Sequence, residues 1–183
     1  MSLARIRIAA RLLAVAAMAA LTAGCFQPMY AEHADGTPGL RDKLLGVELP
    51  PVDKPNASPE ARIGVEVRNA LAFKLYGTAT GTTPTHKLVL TFVTSRSSLL
   101  VSPTTGLPTS ENFGIDAQYN LVELKTSKSV MTGTTFSRVT YDMPGSYQRF
   151  ARTRALRDAE DRAAQEIADN IQTRLASFFF AGT

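Results

Sequence analysis

Apolar and polar positions change their spacing along the chain, and the changes mark out its elements. Ile63, Val67, Leu71 and Leu75 recur every four residues with Ala70 beside them, the stripe of an amphipathic helix. Ser58 is suited to cap that helix, Pro59 to open it and Gly77 to end it. From His86 to Ser95 the run HKLVLTFVTS is rich in β-branched and aromatic residues, with Leu88, Leu90 and Phe92 on one side and Val89 and Val93 on the other. Ile115, Ala117, Tyr119 and Leu121 then alternate with Asp116, Gln118 and Asn120, a half-buried strand with one polar face. Ser129–Tyr141 is a threonine-rich third long strand, joined to the second through the turn Lys125-Thr126-Ser127-Lys128. A last helix is expected over Tyr147–Phe179, where Leu156, Ala159, Ala163, Ile167, Ile171, Leu175 and Phe178 share one face and Glu160 and Arg174 intrude on it.

Between these patterns lie breakers. Leu44–Leu49 is a short candidate strand stopped by Pro50-Pro51, and residues 95–112 (SRSSLLVSPTTGLPTSEN) read as a loop. The order β-α-β-β-β-α predicts an α+β, two-layer sandwich: a mixed, mostly antiparallel sheet with two helices on one face. Asp116, Gln118 and Asn120, together with Thr132, Thr134, Thr135, Ser137 and Thr140, provide the polar positions of a sheet face left for solvent or a partner.

The N-terminus obeys a different pattern. Arg5, Arg7 and Arg11 precede the apolar run Leu12–Leu21, and no acid appears before Glu32. That is the layout of a secretory signal peptide over residues 1–24. The apolar part falls short of the roughly 20 residues of a membrane span, and Gln27 and Pro28 break the chain's apolar character soon after it. Thr22-Ala23-Gly24-Cys25 places the single cysteine of the chain where a lipobox has it, although Thr22 stands where leucine is usual. Cys25 is thus the expected lipidation residue, bearing S-diacylglycerol and an N-acyl group. Each buried CH₂ of such chains contributes about 0.8 kcal/mol, so several chains together anchor firmly. Phe26 occupies the next position in place of an inner-membrane retention aspartate, which points to the periplasmic leaflet of the outer membrane. Residues 25–43 read as the lipidated N-terminus and tether, and 44–180 as one domain.

Cleavage before Cys25 changes the charge. The 183-residue precursor carries 20 basic and 16 acidic side chains, a net of +4. Three of those arginines leave with the signal peptide, so 159 residues remain with 17 positive and 16 negative charges. A nearly neutral exported domain has no clustered basic footprint for nucleic acid. No cysteine cluster, H-E-x-x-H pair, G-x-S-x-G elbow or phosphate-cradling loop is present, so neither metal nor cofactor is expected. His33 and His86 read as ordinary polar residues, and Asp158, Glu160 and Asp161, flanked by Arg157 and Arg162, as a solvated helix face. The chain is not expected to be an enzyme.

Two segments resemble a known family. Cys25-Phe26-Gln27-Pro28-Met29-Tyr30 is similar to the mature start of LptE lipoproteins, which read C-G-F-x-P-L-Y. Ala155–Ala164, with Ile167, Ala168, Ile171 and Leu175, resembles their final helix in the alphaproteobacterial type, and the element order matches too. The resemblance implies an outer-membrane lipoprotein that plugs the lumen of the LptD β-barrel, assists its assembly and takes part in delivering lipopolysaccharide to the outer leaflet. The competing expectation is a free-standing, periplasm-facing lipoprotein that carries lipid or assists transport without a barrel. Lipopolysaccharide carries phosphates, so Arg96, Lys125, Lys128 and Arg149 are candidate contacts. In a meander the loop carrying Arg96 and the connection carrying Arg149 leave one end of the sheet, and the Lys125/Lys128 turn leaves the other.

Overall fold

A computed structural model of the chain describes residues 38–77, 82–143 and 148–181. Cys25, His33 and the residues expected to form the signal peptide and lipobox lie outside the described residues. The elements are α1 (Leu40–Leu45), β1 (Val47–Glu48), α2 (Pro59–Tyr76), β2 (His86–Val101), β3 (Pro108–Glu123), β4 (Lys128–Asp142) and α3 (Arg149–Ala181). One mixed sheet has the order β1-β2-β3-β4, with β1 parallel to β2 and the other pairings antiparallel. This is the anticipated α+β architecture with one helix more.

The helix α2 begins where its capping residues require. Ser58 Oγ accepts from the Ala61 N–H at 3.0 Å, and Pro59 fills the first position. Gly77, at φ +60°, closes the helix and donates to Phe73 O at 2.8 Å. Ile63, Val67, Leu71 and Leu75 are all buried, as their spacing predicts. Gly64 lets α2 approach the sheet, since a Cβ there would meet Val52 and the Phe92 ring. Along α3 the buried stripe is largely alanine: Ala159, Ala163, Ala164, Ala168 and Ala176, together with Ile167, Ile171, Leu175 and Phe179. Small side chains allow α3 to lie close to both α2 and the sheet.

Three sequence expectations are corrected. Leu40 and Leu44, one helical turn apart, are 3% exposed in α1, so the folded domain starts before residue 44 and the strand expected over Leu44–Leu49 shrinks to Val47–Glu48. Six residues are too few to display a helical period. Lys43 of α1 donates to Phe179 O at 3.1 Å, a cation at the C-terminal turn of α3. The expected loop over 95–112 is mostly sheet: β2 and β3 stay paired out to Val101 and Pro108, with irregularities around Leu100, and only 102–107 connects them. Backbone pairing needs no apolar side chains, so a serine-rich strand carries no hydrophobic signal. Finally, Thr135 and Ser137 turn toward the helices, where Ser137 Oγ donates to Glu166 Oε2 at 2.6 Å.

The edge of β2 beyond β1 is closed by the loop after Pro51. Lys54 Nζ donates to Phe92 O at 2.7 Å and lies 4.7 Å from that ring's centre.

Candidate functional site

Pleating alternates side chains between faces, and the strand register fixes which residues meet. One face of the sheet, carrying Leu88, Phe92, Phe113, Ile115, Ala117, Leu121 and Val139, is buried beneath the helices. The other face stays open. Its rows run across β2, β3 and β4 as Val89–Asn120–Thr132, Thr91–Gln118–Thr134, Val93–Asp116–Phe136, Ser95–Gly114–Arg138 and Ser97–Asn112–Thr140.

A single ion pair organises this face. Arg138 Nη2 donates to both Asp116 oxygens at 2.7 and 2.8 Å, and Nη1 donates to Ser137 O at 2.9 Å and Ile115 O at 3.2 Å. The guanidinium also lies 5.6 Å from the Phe136 ring centre. Gly114 leaves it room, because a Cβ there would press on Arg138. At the other end of the face Ser129 Oγ donates to Asn120 Oδ1 at 2.5 Å. Amides, hydroxyls and one closed ion pair alternate with exposed Val93 and Phe136, 64% and 65% accessible. Such a face offers hydrogen bonds without an unbroken apolar patch.

The candidate contact residues do not form one site. Lys125 lies in the turn between β3 and β4 and Lys128 opens β4, both exposed at the end of the sheet where β2 starts. Arg149 is the exposed first residue of α3 at the opposite end. Arg96 is not in a loop. It lies within β2 opposite Phe113, and its guanidinium reaches Glu160 Oε1 of α3 at 3.6 Å.

That contact also corrects the reading of the acidic cluster. Glu160 is only 4% exposed and pairs with Arg62 of α2 as well as Arg96, while Asp161 Oδ1 takes a second bond from Arg62 at 3.2 Å. Asp158 pairs with Arg162 at 2.8 Å. Burial raises the Glu160 pKa above the ordinary carboxylate range, and the two guanidiniums pull it partly back. Its intrusion into the apolar side of the α3 wheel was the one sequence sign of this role.

His86 packs edge-on against Phe179 at 5.1 Å, with Thr85 Oγ1 2.9 Å from Nδ1. Burial lowers its pKa, against the pull of Glu123. Tyr141 donates to Glu111 Oε2 at 2.5 Å; burial and that bond push its hydroxyl up to about 12. Among the described residues, no group of three or more His, Cys, Asp or Glu side chains is placed to hold a metal ion.

A helix-backed mixed sheet with one open, hydrogen-bonding face defines an α+β sandwich domain. Sequence comparison specifies which: the LptE family model, described as lipopolysaccharide-assembly, matches residues 45–175, and the chain belongs to the LptE family. Its part in lipopolysaccharide assembly and its lipoprotein character come with that membership. No curated protein matches the sequence. Among solved structures, a Caulobacter crescentus protein described as a lipoprotein is similar at 24% identity, covering 79% of this chain and 97% of its own, with a TM-score of 0.60. Rare lipoprotein B from Shewanella oneidensis is similar at 18% identity over 72% and 94%, with a TM-score of 0.50. These likenesses concern the fold.

Proposed function

We propose that the protein is a non-enzymatic plug and assembly partner of an LptD-type β-barrel, anchored by Cys25 in the outer membrane and facing the periplasm. With the barrel it takes part in inserting lipopolysaccharide into the outer leaflet. The observation that supports this reading is the open sheet face, whose Asn120, Gln118, Thr132, Thr134 and Thr140 suit the polar, hydrated wall of a barrel lumen better than a lipid surface. Lys125 and Lys128 at one end, and Arg149 at the other, reach separate phosphates of lipopolysaccharide; Arg96 belongs to neither end, because its side chain is drawn toward Glu160.

The test is extraction of the native outer membrane in mild detergent. A large barrel should co-purify with this chain in fixed proportion. Recovery of the chain without any barrel would overturn the plug reading in favour of a free-standing carrier. Replacing the lipidation residue, Cys25→Ser, should move the protein from the membrane to the soluble fraction, as read by fractionation and by mass spectrometry of the mature N-terminus.

A further inference from the structure

The two edges of the sheet differ in how far they are closed. At one edge β1 has only two residues, and side chains take the carbonyls beside it: Tyr76 donates its hydroxyl to Val47 O, and Arg68 Nε donates to Leu49 O at 2.9 Å. Lys54 does the same for Phe92 O of β2. At the other edge β4 runs for 15 residues, and among the described residues no strand pairs with its outer side. A long edge strand presents a row of free N–H and C=O groups, which proteins ordinarily blunt with proline, bulges or charge. From Met131 to Asp142 the strand keeps an unbroken register with β3 and contains no proline. Its one mid-strand charge, Arg138, is turned back onto Asp116.

This edge is complementary to itself. Antiparallel pairing of two copies about Phe136 sets Phe136 against Phe136, Thr134 against Arg138, Thr132 against Thr140 and Met131 against Tyr141. Residues equally far from the axis share parity, so the open faces of the two copies continue each other. The Phe136 ring, 65% exposed in one copy, gains an aromatic cross-strand partner, Thr132 gains a threonine, and no like charges stand opposed. Beyond Met131 the bulge at Val130 sets Ser129 against Asp142 of the other copy, with Lys128 beside it. Lys128 and Asp142 are both exposed and make no ion pair among the described residues of one copy, so opposite charges are free to meet at each end of the ladder.

We propose that β4 is a docking edge for a second copy of this chain, the two strands pairing antiparallel about Phe136 into one continuous sheet. The inference concerns the free protein and stands apart from the barrel reading.

The full chain bearing Cys25→Ser, which carries no acyl group to drive association, is the material for the test. It should sediment as a dimer that dissociates on dilution, as a contact smaller than a standard interface does. Phe136→Lys and Phe136→Glu each place like charges on the axis and should weaken the dimer about tenfold, while a mixture of the two variants should restore it. Both should melt as the parent does, because the ring they replace is exposed. With the only cysteine of the chain replaced, a spin label at Val93→Cys, in the same row as Phe136, reports a single distance. Five strand spacings of about 4.8 Å put the two labels about 24 Å apart across joined edges, whereas stacking of the open faces puts them about 10 Å apart. The shorter distance overturns the proposal, as does a mixture of the charge variants no tighter than either alone. A monomer at every concentration leaves the edge to a strand of another protein and overturns it too.

Discussion

Gly133→Ala should cost the fold about 2–3 kcal/mol, at the upper end of what overpacking a well-filled site costs. Gly133 of β4 faces Tyr119 of β3 across the sheet, and the tyrosine ring lies directly over it. A Cβ at 133 would occupy the space of the phenol, and Tyr119, 3% exposed beneath the helices, has no free side to move into. The shift in urea midpoint measures the loss. Shrinking the ring's side of the contact should relieve it: in a Tyr119→Leu background the same alanine should cost less than about 1 kcal/mol, the departure from additivity typical of touching residues. Tyr119→Phe tests a separate point. The Tyr119 hydroxyl is shielded from solvent without a hydrogen-bond partner among the described residues, so its removal should leave stability unchanged or raise it by about 1 kcal/mol. An equal cost for Gly133→Ala in both backgrounds would show that the ring is not what the glycine accommodates.

The second large effect is expected at the Arg62–Glu160 pair, and it should be asymmetric. Arg62→Met leaves a nearly buried carboxylate with only the longer contact to Arg96, and should cost about 2–3 kcal/mol near neutral pH. Glu160→Met leaves two arginines that are 38% and 49% exposed and can turn to water, so it should cost under about 1 kcal/mol. The double variant should resemble Glu160→Met, because nothing charged is then stranded.

Acidity separates the two cases. The Glu160 pKa is raised in the folded protein, so between the ordinary carboxylate value and the folded value the native state holds a proton that the unfolded chain has released. Stability from this group is therefore present at low pH and declines as pH rises through that window. Removing Arg62 takes away a group that lowers the pKa and widens the window upward. Arg62→Met should accordingly be less destabilising near pH 5 than near pH 8, as compared by denaturant unfolding. Equal loss at both values would mean that Arg62 acts through packing instead of charge.

Much of the fold was legible because its signals are local. Helix α2 carried a four-residue stripe, a cap and a terminator within 20 residues, and β3 alternated cleanly because one of its faces is buried and the other is not. What escaped had either too few residues to show a period, as α1 did, or no hydrophobic contrast, as in the distal halves of β2 and β3. Reading Thr135 and Ser137 as open-face residues failed for another reason. Composition marks a strand as polar, but only parity along the pleat says which of its hydroxyls face outward.

The candidate site divides along the same line. The sequence by itself determined the β-meander with its amide-bearing central strand, and the resemblance that family membership upheld. Each is carried by neighbouring residues whose chemistry does not depend on where the chain travels next. Tertiary structure alone decided that Arg96 faces the helices, that Glu160 is buried, and that Arg62, 98 residues before it, is its partner. Those outcomes depend on sheet register and on the contact between α2 and α3. Both are fixed by packing summed over the whole domain, so no local pattern contains them.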